Sequence, residues 1–149
     1  VPVPSPLPDN PPLAGLKLLQ RLDYILPTLD LSLAPRDEAL FFNQNQHVVE
    51  TMHHNVFVHI GERLVTPALD TCGVAGVMRA ALLDHCQSIG KPCEIAPVSL
   101  QDLIDSHEIF LSNAVAGFVP VGQLGKRKFH DFPVCEQFNR ALRSEQLCA

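Results

Sequence analysis

Four short apolar runs, residues 39–42, 47–50, 55–60 and 63–66, follow one another with only two to four residues between them. Runs of this length, rich in valine and phenylalanine, read as strands rather than helices. Asn43-Gln44-Asn45-Gln46 supplies a turn after the first, and Gly61-Glu62 between the last two predicts a hairpin. Whatever else the chain does, its middle must build a sheet.

Around that block the pattern alternates. Residues 13–16 read as a short apolar strand. Leu18, Leu22, Ile25 and Leu29 recur at helical spacing and predict a helix over 18–29, which Pro27 should weaken. Val74, Val77, Ala81, Leu82 and His85 predict a helix over 73–89 with Gly90 as its stop. Residues 93–96, 107–111 and 116–121 read as further strands. Ser99, with Asp102 three residues on, predicts a capped short helix, and Asp131 is expected to cap a last helix reaching about residue 145. Strand pairs mixed with helices predict an α/β or α+β domain with a mixed sheet flanked by helices.

Composition narrows the function classes. Of 149 residues, 46% are apolar and 18% charged, enough to bury one core, and the net charge of −5 argues against a general nucleic-acid binder. No apolar run approaches the roughly 20 residues of a membrane span, and no charged segment followed by an apolar stretch marks a secretory leader. Five cysteines at irregular spacing form no C-x-x-C pair, which fits reduced thiols in a cytoplasmic protein. Six of the thirteen prolines fall in VPVPSPLPDNPP at the start. That stretch cannot be helical and reads as an extended linker or tail.

Four places could carry chemistry. Lys17 has leucines on both sides: it is either a surface lysine at a strand end, the commoner case, or a poorly solvated one whose ammonium form is disfavoured and whose amine is the better nucleophile. Glu50 follows two valines and is either a solvated strand-end carboxylate or a buried one facing a ring nitrogen. Gly73 and Gly76 sit where a helix begins, and free N–H groups with the helix dipole make an anion site there. That segment matches neither G-x-x-x-x-G-K-[ST] nor G-x-G-x-x-G, so it gives no support to nucleotide binding. Ser112-Asn113-Ala114 forms a loop of small polar residues between strands. His53, His54 and His59 lack metal-ligand spacing, and no metal is expected. Lys126-Arg127-Lys128 reads as a solvated turn.

Taken in order, a lysine, E-x-x-x-x-N-V-F, then G-V-x-G-V-M-R, then S-N-A resembles the C-terminal part of the fold-type IV pyridoxal-phosphate enzymes. These include branched-chain and D-amino-acid aminotransferases and 4-amino-4-deoxychorismate lyase, and the resemblance is nearest the lyase branch. It runs from about Leu13 to Leu142.

The resemblance implies a mixed sheet or partly closed barrel, the cofactor pyridoxal 5'-phosphate, a small-molecule substrate and a homodimer. Lys17 falls where the family bonds covalently to the cofactor and where its catalytic base stands. Glu50 falls opposite the pyridine nitrogen. Gly76, Val77 and Met78 fall where backbone N–H groups hold the phosphate, and Asn113 and Ala114 fall in a second phosphate loop. Aminotransferases often place a threonine at the Ala114 position. Arg79 is expected to tie down the helix rather than touch cofactor. Gln20 stands where the family often has asparagine, and His53-His54 are bulkier than usual. The family also has an N-terminal domain of roughly a hundred residues. Residues 1–12 are expected to be the connection from it, residues 13–149 to be the cofactor-binding domain, and this part alone to bind cofactor weakly.

Overall fold

The structure, a computed structural model, describes residues 1–91 and 93–144. Its centre is a seven-stranded sheet of β1 (Leu40–Phe42), β2 (Val48–Thr51), β3 (Asn55–Ile60), β4 (Arg63–Pro67), β5 (Cys93–Ala96), β6 (Glu108–Asn113) and β7 (Gly117–Pro120). β3 is the organising strand. Along one side it pairs with β6, and along the other it meets β2 at Asn55 and β4 from Val58 to Ile60. All pairings are antiparallel except β4 with β5, so the sheet is mixed as expected. β8 (Gln123–Leu124) and β9 (Arg127–Lys128) form a small exposed hairpin where a solvated basic turn is predicted.

Alternation along the strands sorts side chains into two cores. Val56 and Val58 of β3, with Ile109 and Leu111 of β6, face Leu103 of α3 (Leu100–Asp105). Phe57 and Phe110 are register partners on the opposite face, their rings stacked 5.1 Å apart. They pack against Leu82 and Cys86 of α2 (Val77–Ser88) and Phe138 of α4 (Pro133–Arg143). Burying aromatic pairs of this size dominates the energetics of such a core.

The Ser99–Asp102 capping box forms as predicted, and Gly90 ends α2's last turn at φ +69°. Four expectations change. The opening proline-rich stretch is extended but not a free tail: Val3 and Leu7 are buried, and their N–H groups donate to the Leu40 and Phe42 carbonyls. Residues 13–16 form no strand and make only one bridge, Gly15 to Val74. The helix over 18–29 shrinks to α1 (Leu22–Ile25) and one 3-10 turn, Leu26–Thr28. Its leucines at 18, 22 and 29 lie exposed, so they supply no packing to hold a longer helix together. The last helix begins at Pro133 without help from Asp131. The buried Glu108 carboxylate on β6 instead accepts the Val134 and Cys135 amides at 3.0 and 2.7 Å.

The helix over 73–89 also starts later than predicted, at Val77. Gly73 turns the chain at φ +94°, and residues 74–76 run as a strap beside Gly15, their amides taken by Glu50, the Gly15 carbonyl and Asn55 instead of by a helical turn. The buried face of α2 is Arg79, Leu82 and Cys86; Val77 points outward at 71% exposure.

Candidate active site

The E-x-x-x-x-N spacing has a simple geometric meaning. β2 and β3 are joined by a turn at residues 52–54, so Glu50 and Asn55 become direct register partners. Asn55 in turn faces Ser112 on β6. Opposite residues of paired strands share a face. Three polar side chains therefore stand in one row across three strands, all buried.

The strap crosses this row. Glu50, 3% exposed, accepts the Val74 amide on Oε2 at 3.1 Å and the Asn55 amide group on the same oxygen at 3.3 Å. Asn55 Nδ2 also donates to the Val74 carbonyl at 2.7 Å, while its Oδ1 accepts the Gly76 amide at 3.2 Å. On the other carboxylate oxygen, Oε1, Glu50 accepts the Tyr24 hydroxyl at 2.5 Å. Burial pushes the Glu50 carboxyl up from the ordinary carboxylate range; the bonds from Tyr24 and Val74 and the charges of Arg21 and Lys17 pull it back.

Fixing Gly76 fixes the start of α2. The Val77 and Met78 amides precede the first intrahelical bond, Ala80 N–H to the Gly76 carbonyl, and belong to the turn whose donors have no helical partner. Arg79 anchors the helix from behind: its Nε donates to Thr66 Oγ1 at 3.2 Å and its Nη2 to the Pro67 carbonyl at 3.0 Å. It ties down the helix, as expected, and does not line the cleft.

A cleft of about 270 Å³ opens over these groups. Lys17, Glu50, Gly76, Val77, Met78, Asn113 and Ala114 all border it, together with Arg21, His53 and Ser112. Lys17 is a surface lysine, the first of its two readings, and not the sheltered amine of the second. Its neighbours Leu16, Leu18 and Leu19 are themselves exposed, and the lysine reaches the cleft from the solvent side. The Asn113 side chain is engaged within its own loop: Oδ1 accepts the Val115 and Ala116 amides at 2.9 and 2.7 Å, and Nδ2 donates to the His53 carbonyl at 3.3 Å. The loop therefore presents backbone and the small Ala114 to the cleft. His53 and His54 occupy the β2–β3 turn, and no group of side chains with metal-ligating composition occurs among the described residues.

Sequence reasoning missed Tyr24 and Arg21, and singled out Ser112 only as part of the S-N-A loop, whereas it ends up on β6 beside Asn55. Tyr24 carried one usable signal, since a tyrosine drawn into a core needs a partner for its hydroxyl. Ser112 Oγ is buried without a hydrogen-bond partner among the described residues, which marks the cleft floor as built for something polar.

A basic rim, a helix start with unused amides and one buried carboxylate suit a ligand with an anionic end and a basic ring nitrogen. A model of the amino-transferase class IV family matches residues 3–124 of this chain. The chain belongs to the class IV aminotransferase family. Within it, aminodeoxychorismate lyase from Vibrio harveyi is 34% identical over 126 residues, covering 84% of this chain and 46% of that protein. The crystal structure of 4-amino-4-deoxychorismate lyase from Pseudomonas aeruginosa superposes with a TM-score of 0.88 at 36% identity, over 96% of this chain and 53% of that one. An aminotransferase from Brucella abortus bound to the cofactor PLP gives 0.69 at 25% identity, over 75% and 40%. This class IV chain thus spans about half the length of the two lyases, and its mixed sheet with flanking helices is the expected fold-type IV architecture.

Proposed function

We propose that residues 13–149 form the pyridoxal 5'-phosphate domain of an aminodeoxychorismate lyase. The reaction splits 4-amino-4-deoxychorismate into 4-aminobenzoate and pyruvate. The observation that carries the reading is that Lys17, Glu50, the start of α2 and the Asn113-Ala114 loop border one cleft, in a chain more than a third identical to a lyase of solved structure.

The residues present fit the cofactor. Val77 and Met78 would hold its phosphate through backbone amides, with the positive end of α2 behind them. Ser112 Oγ on the cleft floor and the Ala114 backbone would supply further polar groups. Glu50 would be the partner of the ring nitrogen, where an ionised carboxylate would keep that nitrogen protonated. When bound, the cofactor supplies an aldehyde for Lys17 and a cationic ring that draws electrons from the reacting carbon.

Lys17 then has two duties. Its amine would hold the cofactor, and when free its Nζ would take the proton from the amine-bearing ring carbon of the substrate. The ether bond to the enolpyruvyl group breaks, the ring becomes aromatic, and the departing enolate gains a proton to become pyruvate. Aromatisation drives the release, so the protein's task is to hold the ring and move one proton. The exposure of Lys17 suggests that a first domain and a second subunit close the cleft, in a cytoplasmic homodimer with residues 1–12 leading in from that domain.

An amine-transfer reading shares the cofactor and draws on the Brucella abortus relative; the missing hydroxyl at Ala114 favours the lyase. The test is product analysis with intact full-length protein. Equal release of pyruvate and 4-aminobenzoate supports the lyase. Transfer of the amino group to a 2-oxo acid without pyruvate release overturns it.

A further inference from the structure

Tyr24 stands behind Glu50. Its ring is buried against Phe41, with centroids 4.8 Å apart, and it lines a neighbouring pocket instead of the cleft itself. The 2.5 Å bond from its hydroxyl to Glu50 Oε1 has the length of an O–H donated to an ionised carboxylate. Above the ring, the Arg21 guanidinium lies 3.6 Å from the centroid, and its Nη2 donates to the Met52 carbonyl at 2.7 Å in the turn that follows Glu50's strand. Tyr24 is thus held by Phe41 and by Arg21 together.

A carboxylate offers roughly four acceptor sites. On Glu50, Oε2 uses two, for Val74 and Asn55, and Oε1 uses one, for Tyr24. The remaining site lies on the oxygen that Tyr24 holds. We infer that Tyr24 is a positioning residue, which keeps Glu50 charged and turned so that Oε1 has one acceptor site left for a donor in the cleft. Without the hydroxyl, a carboxylate this deeply buried would favour its neutral form and carry a proton where it must accept one. The donor's identity as the cofactor ring nitrogen rests on the function proposed above; the hold of Tyr24 on Glu50 does not.

The other charged or titratable groups that bear on the pair are Arg21 and Lys17 from the segment before α1, Cys72 beside the strap and Arg79 on α2. The chain offers a clean probe, because Tyr24 is its single tyrosine and it has no tryptophan. Isotope-edited tyrosine bands from this chain therefore report Tyr24.

The experiment has three arms. In the unloaded protein, isotope-edited infrared spectroscopy follows Glu50, and Tyr24→Phe should raise its proton affinity about tenfold; an unchanged titration overturns the inference. Should Tyr24→Phe fail to fold, the infrared C–O band of the Tyr24 phenol decides. Glu50→Gln should shift that band away from the position of a phenol donating to a carboxylate, and no change overturns the coupling. In protein loaded with pyridoxal phosphate, Tyr24→Phe should shift the pH profile of the bound cofactor's absorbance while leaving its covalent attachment to Lys17 intact. Attachment in wild type with an unmoved profile overturns the positioning role. If wild type forms no borohydride-stable adduct, the proposed function fails, and the first two arms still decide whether Tyr24 keeps Glu50 charged.

Discussion

Asn55 Oδ1 accepts the Gly76 amide at 3.2 Å, and the same oxygen occupies the place a β-carbon on residue 76 would need. Gly76 has an ordinary extended backbone, so the requirement for glycine here is one of space alone. Gly76→Ala should push Asn55 aside, break its bonds to the strap and destabilise the protein by about 1–3 kcal/mol in urea melts. Pyridoxal-phosphate affinity should fall with it. Gly122→Ala, where an added carbon meets nothing within 4 Å, is the control and should stay within about 0.5 kcal/mol.

Lys17 is exposed and makes no hydrogen bond among the described residues, so its removal should cost the fold little. Lys17→Ala should melt within about 0.5 kcal/mol of wild type. Its borohydride-reduced mass adduct with pyridoxal phosphate should vanish. Retention of the adduct would place the covalent bond on another lysine.

Glu108 is buried at the foot of α4 and satisfies two amides that have no helical partner. Glu108→Ala should destabilise by about 2–3 kcal/mol, because both donors are left unpaired in a site closed to water. Asp131→Ala should be nearly neutral, which denaturant titration of the two variants would reveal side by side.

The buried thiols give a pH signature. Desolvation pushes Cys86 up to about 11 and Cys135 up to about 12, and Cys93 is likewise raised to about 12. A folded-state value above the unfolded one gives stability that is complete below the ordinary thiol value of 9.0 and lost as pH climbs through 11 to 12. Unfolding midpoints should hold through mild alkali and then drop. Alkylation of these thiols near pH 8 should be slow in native protein and fast in denaturant.

Local signals were legible where their partners are also local. The hairpin over 55–60 and 63–66, the Ser99–Asp102 cap and the Gly90 stop are all closed by contacts within a few residues. Long-range competition hid the rest. Glu50 and Asn55 take the strap amides that a helix over 73–89 would have used. Glu108, a strand away, does what Asp131 was expected to do. The leucine repeat over 18–29 was a true periodicity, but periodicity marks a face and says nothing of what covers it. In the site, residue order revealed Lys17, Glu50 and the glycine segment. Tyr24 joined them only through folding, since its partner lies 26 residues along the chain.

The opening segment has a last consequence. Val3 and Leu7 give their amides to β1, and Pro2, Pro4 and Pro6 are interspersed with them. Proline has no hydrogen to offer. A stray strand from another molecule would find three of the opening residues without a donor and two more already engaged, so this flank is a poor template for fibril growth although it carries no charged side chain before Asp9.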